Sequence, residues 1–419
     1  MKIIYIFERR HYYTYDDDKF GIDYFRSKGH DVEVWSAVRW TFGLDVEEPK
    51  NIHEGKLVYI DDEETLKNEL ERVRKEKCSF ILFPYLQGYT SISLTIRKRI
   101  KKYKFDFYNL TESASPSEIL DIDPCHKASI LGKFFKDIIN DSLTWLSFNL
   151  GKKKNSISKS KNRRYHVINP MIKIYGPLWY RSKYNFVATR NQYNYFPNKL
   201  EIFSKRNILV PHMDYGKYLE MLSESEGKEK YTKYAVFIDE FEIGHSDFKK
   251  IGIEYVITNQ ELYFQELNKF FDQIESQFGL KVVIAAHPKA EYKGNEFNGR
   301  KIYYFETFRV VKNAELVLYE YGSSLSYALL YRKNFIHFCT SQHFKGHKVD
   351  NYMKKISHLM SSKILKIHEV VGNIEDIYIN RYTRVYDEML ERYLVPKVGW
   401  DKDMFTMMEE YISSADLAE

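Results

Sequence analysis

Residues 281–338 read KVVIAAHPKAEY, then, after a polar interval, KIYYFETFRVVKNAELVLYEYGSSLSYALLYRKNFIHF. KVVIAA is a short β-branched run that stops at His287-Pro288, the pattern of a buried parallel strand carrying a histidine at its carboxyl end. Pro288 restricts the residue before it to extended conformations, which stiffens His287. ELVLYEY is a second such run and opens into Gly322-Ser323-Ser324, followed by a helical pattern, LSYALLY. A strand, a Gly-Ser-Ser turn and a helix start gather hydroxyls and backbone N–H groups, a set suited to a phosphate. NFIHF is a third strand. Ligands of open α/β sheets bind where strand carboxyl ends meet loops, so His287 and Ser323-Ser324 are expected to face one ligand.

Outward from this stretch, both halves of the chain alternate strand and helix. Strands are expected at 2–7, 31–35, 56–60, 79–84 and 106–110, with helices at 19–28, 63–75 and 91–104. Strands resume at 184–189 and 206–211. The polar segment LSESEGKEKYTK (222–233) reads as a linker. Beyond it, YAVFIDEF begins a second alternation: helix 257–278, strands 281–286, 301–305, 315–320 and 334–338, helix 324–331 and a later helix at 373–392. Residues 125–150 read as a long helix and 150–164 as a basic loop. Such alternation implies mostly parallel, doubly wound sheets. No GxGxxG follows the first strand, so a dinucleotide fold is not supported.

The order HP, FE and SS, each at an expected strand end, resembles the donor-binding half of bacterial sialyltransferases of GT-B architecture. It also resembles related capsule and lipopolysaccharide transferases that use CMP-sugars. The resemblance is strongest over 235–340. It implies an α/β GT-B fold of two Rossmann-like domains facing a central cleft: 1–225 for the acceptor, 226–395 for the nucleotide sugar, and a final helix in 396–419 crossing back. It implies an inverting transfer of an acidic sugar (sialic acid, another nonulosonic acid or Kdo) from CMP to a surface glycan. His287 would hydrogen-bond the CMP phosphate and protonate it as it leaves. Ser323 and Ser324, on the turn opened by Gly322, would bind the same phosphate, and Glu306 would hold the ribose. The general base falls on Glu112, although Ser113-Ala114 stands where the family has acid and glycine; Glu8, Asp239 and Glu240 are its rivals. Two other readings share these residues: a CDP-glycerol-like phosphotransferase and a non-catalytic glycan-assembly protein on the same scaffold.

Composition sets the bounds. A chain of 419 residues suits two domains, and 44% hydrophobic residues supply sizeable cores. Three scattered cysteines without CxxC point to a reducing compartment, and the N-terminus reads as a strand rather than a leader. No apolar run approaches ~18 residues. A net charge of +6 permits an anionic membrane surface, and no nucleic-acid module is present. The expectation is a cytoplasmic protein that can contact the inner face of the inner membrane, where a lipid-linked or oligosaccharide acceptor would be met. Neither a cofactor nor a metal is expected. Asp16-Asp17-Asp18 reads as the acidic first turn of a helix, and His337, Cys339, His343 and His347 match no common zinc spacing. The cations Arg97, Lys98, Arg99, Lys101, Lys102 and Lys104 read as a helix end complementing its dipole.

Overall fold

The computed structural model describes residues 1–8, 10–43, 57–76, 80–84, 91–111, 181–188, 204–223, 233–241, 243, 257–343, 348–397 and 399–416. Glu112, Ser113-Ala114, the segments 125–150 and 150–164, most of 222–233 and His347 lie outside these residues.

Two compact units form. The first takes the described residues of 1–111 and 181–213 together with 402–416; the second takes those of 214–401. Among the described residues seven parallel strands make the first sheet: β1 (Lys2–Phe7), β2 (Asp31–Ser36), β3 (Leu57–Tyr59), β4 (Phe80–Phe83), β5 (Phe107–Thr111), β6 (Ser182–Val187) and β7 (Ser204–Leu209). Their order is β3-β2-β1-β4-β5-β6-β7. β1 is KIIYIF, buried along nearly its whole length, as a strand covered on both faces must be. Helices Glu63–Lys75 and Ser91–Lys102 pack on one face, where Leu66, Leu70, Ile96 and Ile100 meet Ile4, Ile6 and Ile81.

The helix expected at 19–28 is two short ones, Asp16–Lys19 and Ile22–Ser27, broken at Gly21 with φ 70°. The basic helix end also differs from expectation at one residue. Arg97 is fully buried, donates from Nη1 to Glu8 at 2.7 Å and lies 3.9 Å over the Phe83 ring. Its charge is neutralised inside the unit rather than by the helix dipole. The last helix, Met404–Asp416, closes the first unit. Phe405 packs its ring against Gly21, Tyr24 and Phe25, and Glu409 accepts from Tyr24 Oη at 2.9 Å. No described helix is long and apolar enough to cross a membrane.

The second sheet contains β8 (Tyr234–Ile238), β9 (Lys281–Ala286), β10 (Ile302–Tyr304), β11 (Leu316–Tyr319), β12 (Asn334–Cys339), β13 (Leu365–Lys366) and β14 (Ile379–Asn380). The order is β10-β9-β8-β11-β12-β13, all parallel, with β14 antiparallel on β12. Successive residues of β8 point to opposite faces: Ala235 and Phe237 join the core under helix Gln260–Phe278, Val236 and Ile238 the core under Leu325–Leu330. Among the described residues four helices carried no expectation from sequence: Val38–Phe42, Met213–Ser223, Thr307–Asn313 and Lys348–Met360. The helix expected at 373–392 begins only at Arg384, where the Thr383 side chain accepts from Val385 N–H. Residues 379–380 pair with β12 instead, and Asn380 donates to the Phe335 carbonyl.

Candidate functional site

In the second sheet the chain runs from β8 outward to β10, then returns to β11 on the other side of β8. The switch point therefore lies between the carboxyl ends of β8 and β11, where open α/β sheets bind their ligands. The residues leaving these ends are Asp239 and Glu240 after β8, His287 after β9, Phe305 and Glu306 after β10, and Glu320 through Ser324 after β11. His287, Ser323, Ser324 and Glu306 thus all sit on one edge of one sheet, as the sequence pattern expects.

His287 is half-buried and held from several sides. Its backbone N–H donates to Asp239 Oδ2 at 3.2 Å, and its Nδ1 accepts from Lys289 N–H at 3.1 Å. The ring stacks on Phe241 at 6.4 Å between centroids, with 15° between planes. With Nδ1 accepting, the neutral ring carries its proton on Nε2. Pro288, exposed beside it, sits in the tight turn closed by Ala290 N–H on the His287 carbonyl.

Asp239 serves as a bracket. Its Oδ1 accepts from Phe241 N–H at 2.9 Å, and its Oδ2 takes Tyr292 Oη–H at 2.8 Å besides His287 N–H. Burial, followed by the Asp239 charge, pushes the Tyr292 phenol far above its ordinary range, so the phenol stays a donor. Phe241 holds φ 51°, a left-handed conformation that a bulky side chain keeps only when its surroundings enforce it. A carboxylate committed to two backbone amides and a phenol positions His287; as a rival base it is poorly placed to receive a proton. Glu8, another rival, is bound to Arg97.

At the Gly-Ser-Ser turn, Gly322 holds φ 112°, and a Cβ there would collide with the carboxylate of Glu240. Ser324 occupies the cap position of helix Leu325–Leu330 but makes no cap bond; its hydroxyl donates to Glu240 Oε1. At six residues the helix is too short for its start to serve by itself as an anion site. Ser323 is exposed.

Glu306 is 46% exposed and reaches Arg309 at 3.8 Å. Phe305 before it is 67% exposed with φ 59°, a strained aromatic at a strand end that periodicity does not reveal. Beyond β12, His343 accepts Thr340 N–H on Nδ1 at 3.0 Å, and its Nε2 lies 3.9 Å from Glu320 Oε1, both residues fully buried. Tyr263 donates to the other Glu320 oxygen at 2.8 Å. Cys339 instead meets the Leu365 carbonyl. In the first unit, Asp16 accepts from Arg10 and Tyr13, and Asp17 from Tyr12 and Arg26. Among the described residues no three His, Cys, Asp or Glu side chains converge as a metal cluster.

No protein-family model matches the chain, and no curated protein matches it by sequence. Solved structures do. The wall teichoic acid polymerase TagF, as a variant, aligns at a TM-score of 0.51 and 10% identity over 99% of this chain and 88% of that one. S. aureus MnaA, solved with UDP, aligns at 0.46 and 12% identity over 99% and 97% of the two chains. The spinosyn forosaminyltransferase SpnP aligns at 0.45 and 8% identity over 99% of each. The likeness to TagF is one of fold, and it agrees with two units each built on a parallel sheet. The chain has the two-domain, Rossmann-like GT-B fold.

Proposed function

We propose that this protein is an inverting, metal-independent glycosyltransferase that moves an acidic sugar from a CMP-activated donor to a bacterial surface glycan, free or lipid-linked. The observation that carries this reading is the imidazole of His287, oriented by Asp239, Phe241 and Lys289 at a strand end beside the switch point, with its proton on Nε2. In that tautomer the ring gives a hydrogen bond to the phosphate oxygen that gains charge as the glycosidic bond breaks. Handing over the proton itself would require protonation at Nδ1 and loss of the Lys289 bond. We therefore assign His287 charge stabilisation rather than acid catalysis; removing such a donor costs roughly 10²–10³ in kcat. The acceptor hydroxyl attacks the anomeric carbon, its proton goes to a carboxylate for which Glu112 is our candidate, and CMP departs.

The choice of a CMP donor rests on the order of His287, Glu306 and Ser323-Ser324 at the strand ends of one sheet. Thermal unfolding with CMP, CDP, UDP and GDP tests the assignment. CMP is expected to stabilise by mass action, about 2.7 kcal/mol at a hundredfold excess over Kd, and His287→Ala to weaken that stabilisation. Stabilisation by UDP or GDP without CMP would overturn the donor. The second reading, a CDP-glycerol-like phosphotransferase, draws on the fold shared with TagF. There the donor phosphorus ends on the acceptor, so tracing a labelled phosphate separates the two.

A further inference from the structure

β10 pairs with β9 in parallel register, Tyr304 opposite Ala286, so Phe305 and His287 leave adjacent strands side by side, about 5 Å apart along the sheet edge. Phe305 is 67% exposed and holds φ 59°, a conformation that glycine adopts freely and a bulky residue only under strain. Neither usual structural role accounts for an aromatic there. A core residue would be covered. A hydrophobic staple would lay Phe305, which precedes the Glu306 cap position, on the fourth residue of helix Thr307–Asn313. That residue, Val310, is buried in the core under helix Leu325–Leu330, while Phe305 stays in solvent. Phe241 makes the contrast. It too holds a positive φ, at 51°, but its ring is engaged, stacked on His287 and edge-on to Tyr292. Among the described residues no aromatic ring packs against Phe305.

We infer that the Phe305 ring is the surface on which the base of the donor nucleotide stacks, an assignment that rests on the proposed roles of His287 on the phosphate and Glu306 on the ribose. In a nucleotide the ribose joins phosphate to base. A ribose held at Glu306, with its phosphate at His287 one strand away, therefore carries the base to the immediate surroundings of Phe305. A nucleobase is flat and stacks on an aromatic ring whatever its edge pattern. The exposure of Phe305 then has a cause: the face kept open in the free protein is the face the base covers. Its backbone has one too, because strained conformations gather at ligand clamps, where they hold a side chain in the pose the ligand needs. The ring carries no hydrogen-bonding group. It distinguishes a nucleotide from a bare sugar phosphate and leaves the choice among pyrimidines to other contacts.

The test sets CMP against ribose 5-phosphate, which keeps the phosphate and the ribose and lacks the base. CMP is titrated calorimetrically into the full chain, and ribose 5-phosphate is measured by its competition with CMP. Phe305→Leu keeps an apolar side chain and removes the ring. It is expected to weaken CMP roughly tenfold and ribose 5-phosphate about twofold or less, and Phe305→Trp to bind CMP at least as tightly as wild type. Phe305→Gly relieves the strained backbone, so it should weaken CMP to a similar degree with an unfolding temperature no lower than that of wild type. A merely structural role would lower that temperature instead. Unchanged CMP affinity in Phe305→Leu and Phe305→Gly, or equal losses for the two ligands, would overturn the assignment. His287→Ala and Glu306→Gln, each made alone, tell its failure from that of the donor site. If both bind CMP as wild type does, or wild type does not bind CMP, the site itself is misplaced and the role of Phe305 falls with it. If they weaken CMP and the Phe305 variants do not, only the role of Phe305 is wrong.

Discussion

Histidines in this chain are set apart by what surrounds each ring. His287 sits half-buried at a strand end, with an amide on Nδ1 and Nε2–H as its donor. His337, inside β12 and fully buried, is a different case: burial pushes its pKa down to about 4, so it is neutral in the folded protein. The unfolded chain takes up a proton near 6.5 that the native state refuses. The stability this neutral ring allows is complete above pH 6.5 and is lost as pH falls from there through about 4. Urea unfolding between about pH 7.5 and 4 should show that loss, and His337→Asn, with no proton to take up, should flatten it. Such differences are partly legible in sequence. A histidine before proline at the end of KVVIAA announces a strand-end side chain, and Gly322-Ser323-Ser324 after LVLY announces a turn. The partners that decide chemistry are not legible. Tyr292 and Phe241 reach the site through tertiary contacts, and no spacing marks them.

Strands were easier to read than helices, for a physical reason. Parallel strands covered on both faces appear as short unbroken apolar runs, and β1, β8 and β9 fall where such runs occur. Helix bounds depend on caps and on competing partners: the pairing of β14 with β12 delayed one helix to Thr383, and Gly21 divided another. Gly21 also offers a clean test. Its φ of 70° and the Phe405 ring packed on it leave no space for a methyl group. Gly29, with φ 82°, has nothing within 4 Å of the point where a Cβ would stand. Gly29→Ala should cost about 1 kcal/mol from backbone strain alone. Gly21→Ala should cost about 2–3 kcal/mol, the excess coming from displacement of the last helix. Thermal unfolding of the two variants side by side measures the difference.

At the scale of the molecule, the first unit is built from separated parts of the chain. Met404 and Met408 of the last helix are fully buried, Ile412 nearly so, and Glu409 accepts from Tyr24 and pairs with His30 at 2.9 Å. Removing residues 402–419 should lower the unfolding temperature of the first unit while leaving that of the second close to its wild-type value, which differential scanning calorimetry resolves. The arrangement has a consequence for the growing polypeptide. Everything from residue 214 to 401 is translated between the body of the first unit and the helix that completes it. At 5–20 residues per second that interval is roughly 10–40 s, during which Phe25 and its neighbours lack their cover. Although it begins first at the ribosome, the N-terminal unit is finished last, and the nascent chain must keep that apolar face from aggregating until synthesis delivers its closing segment.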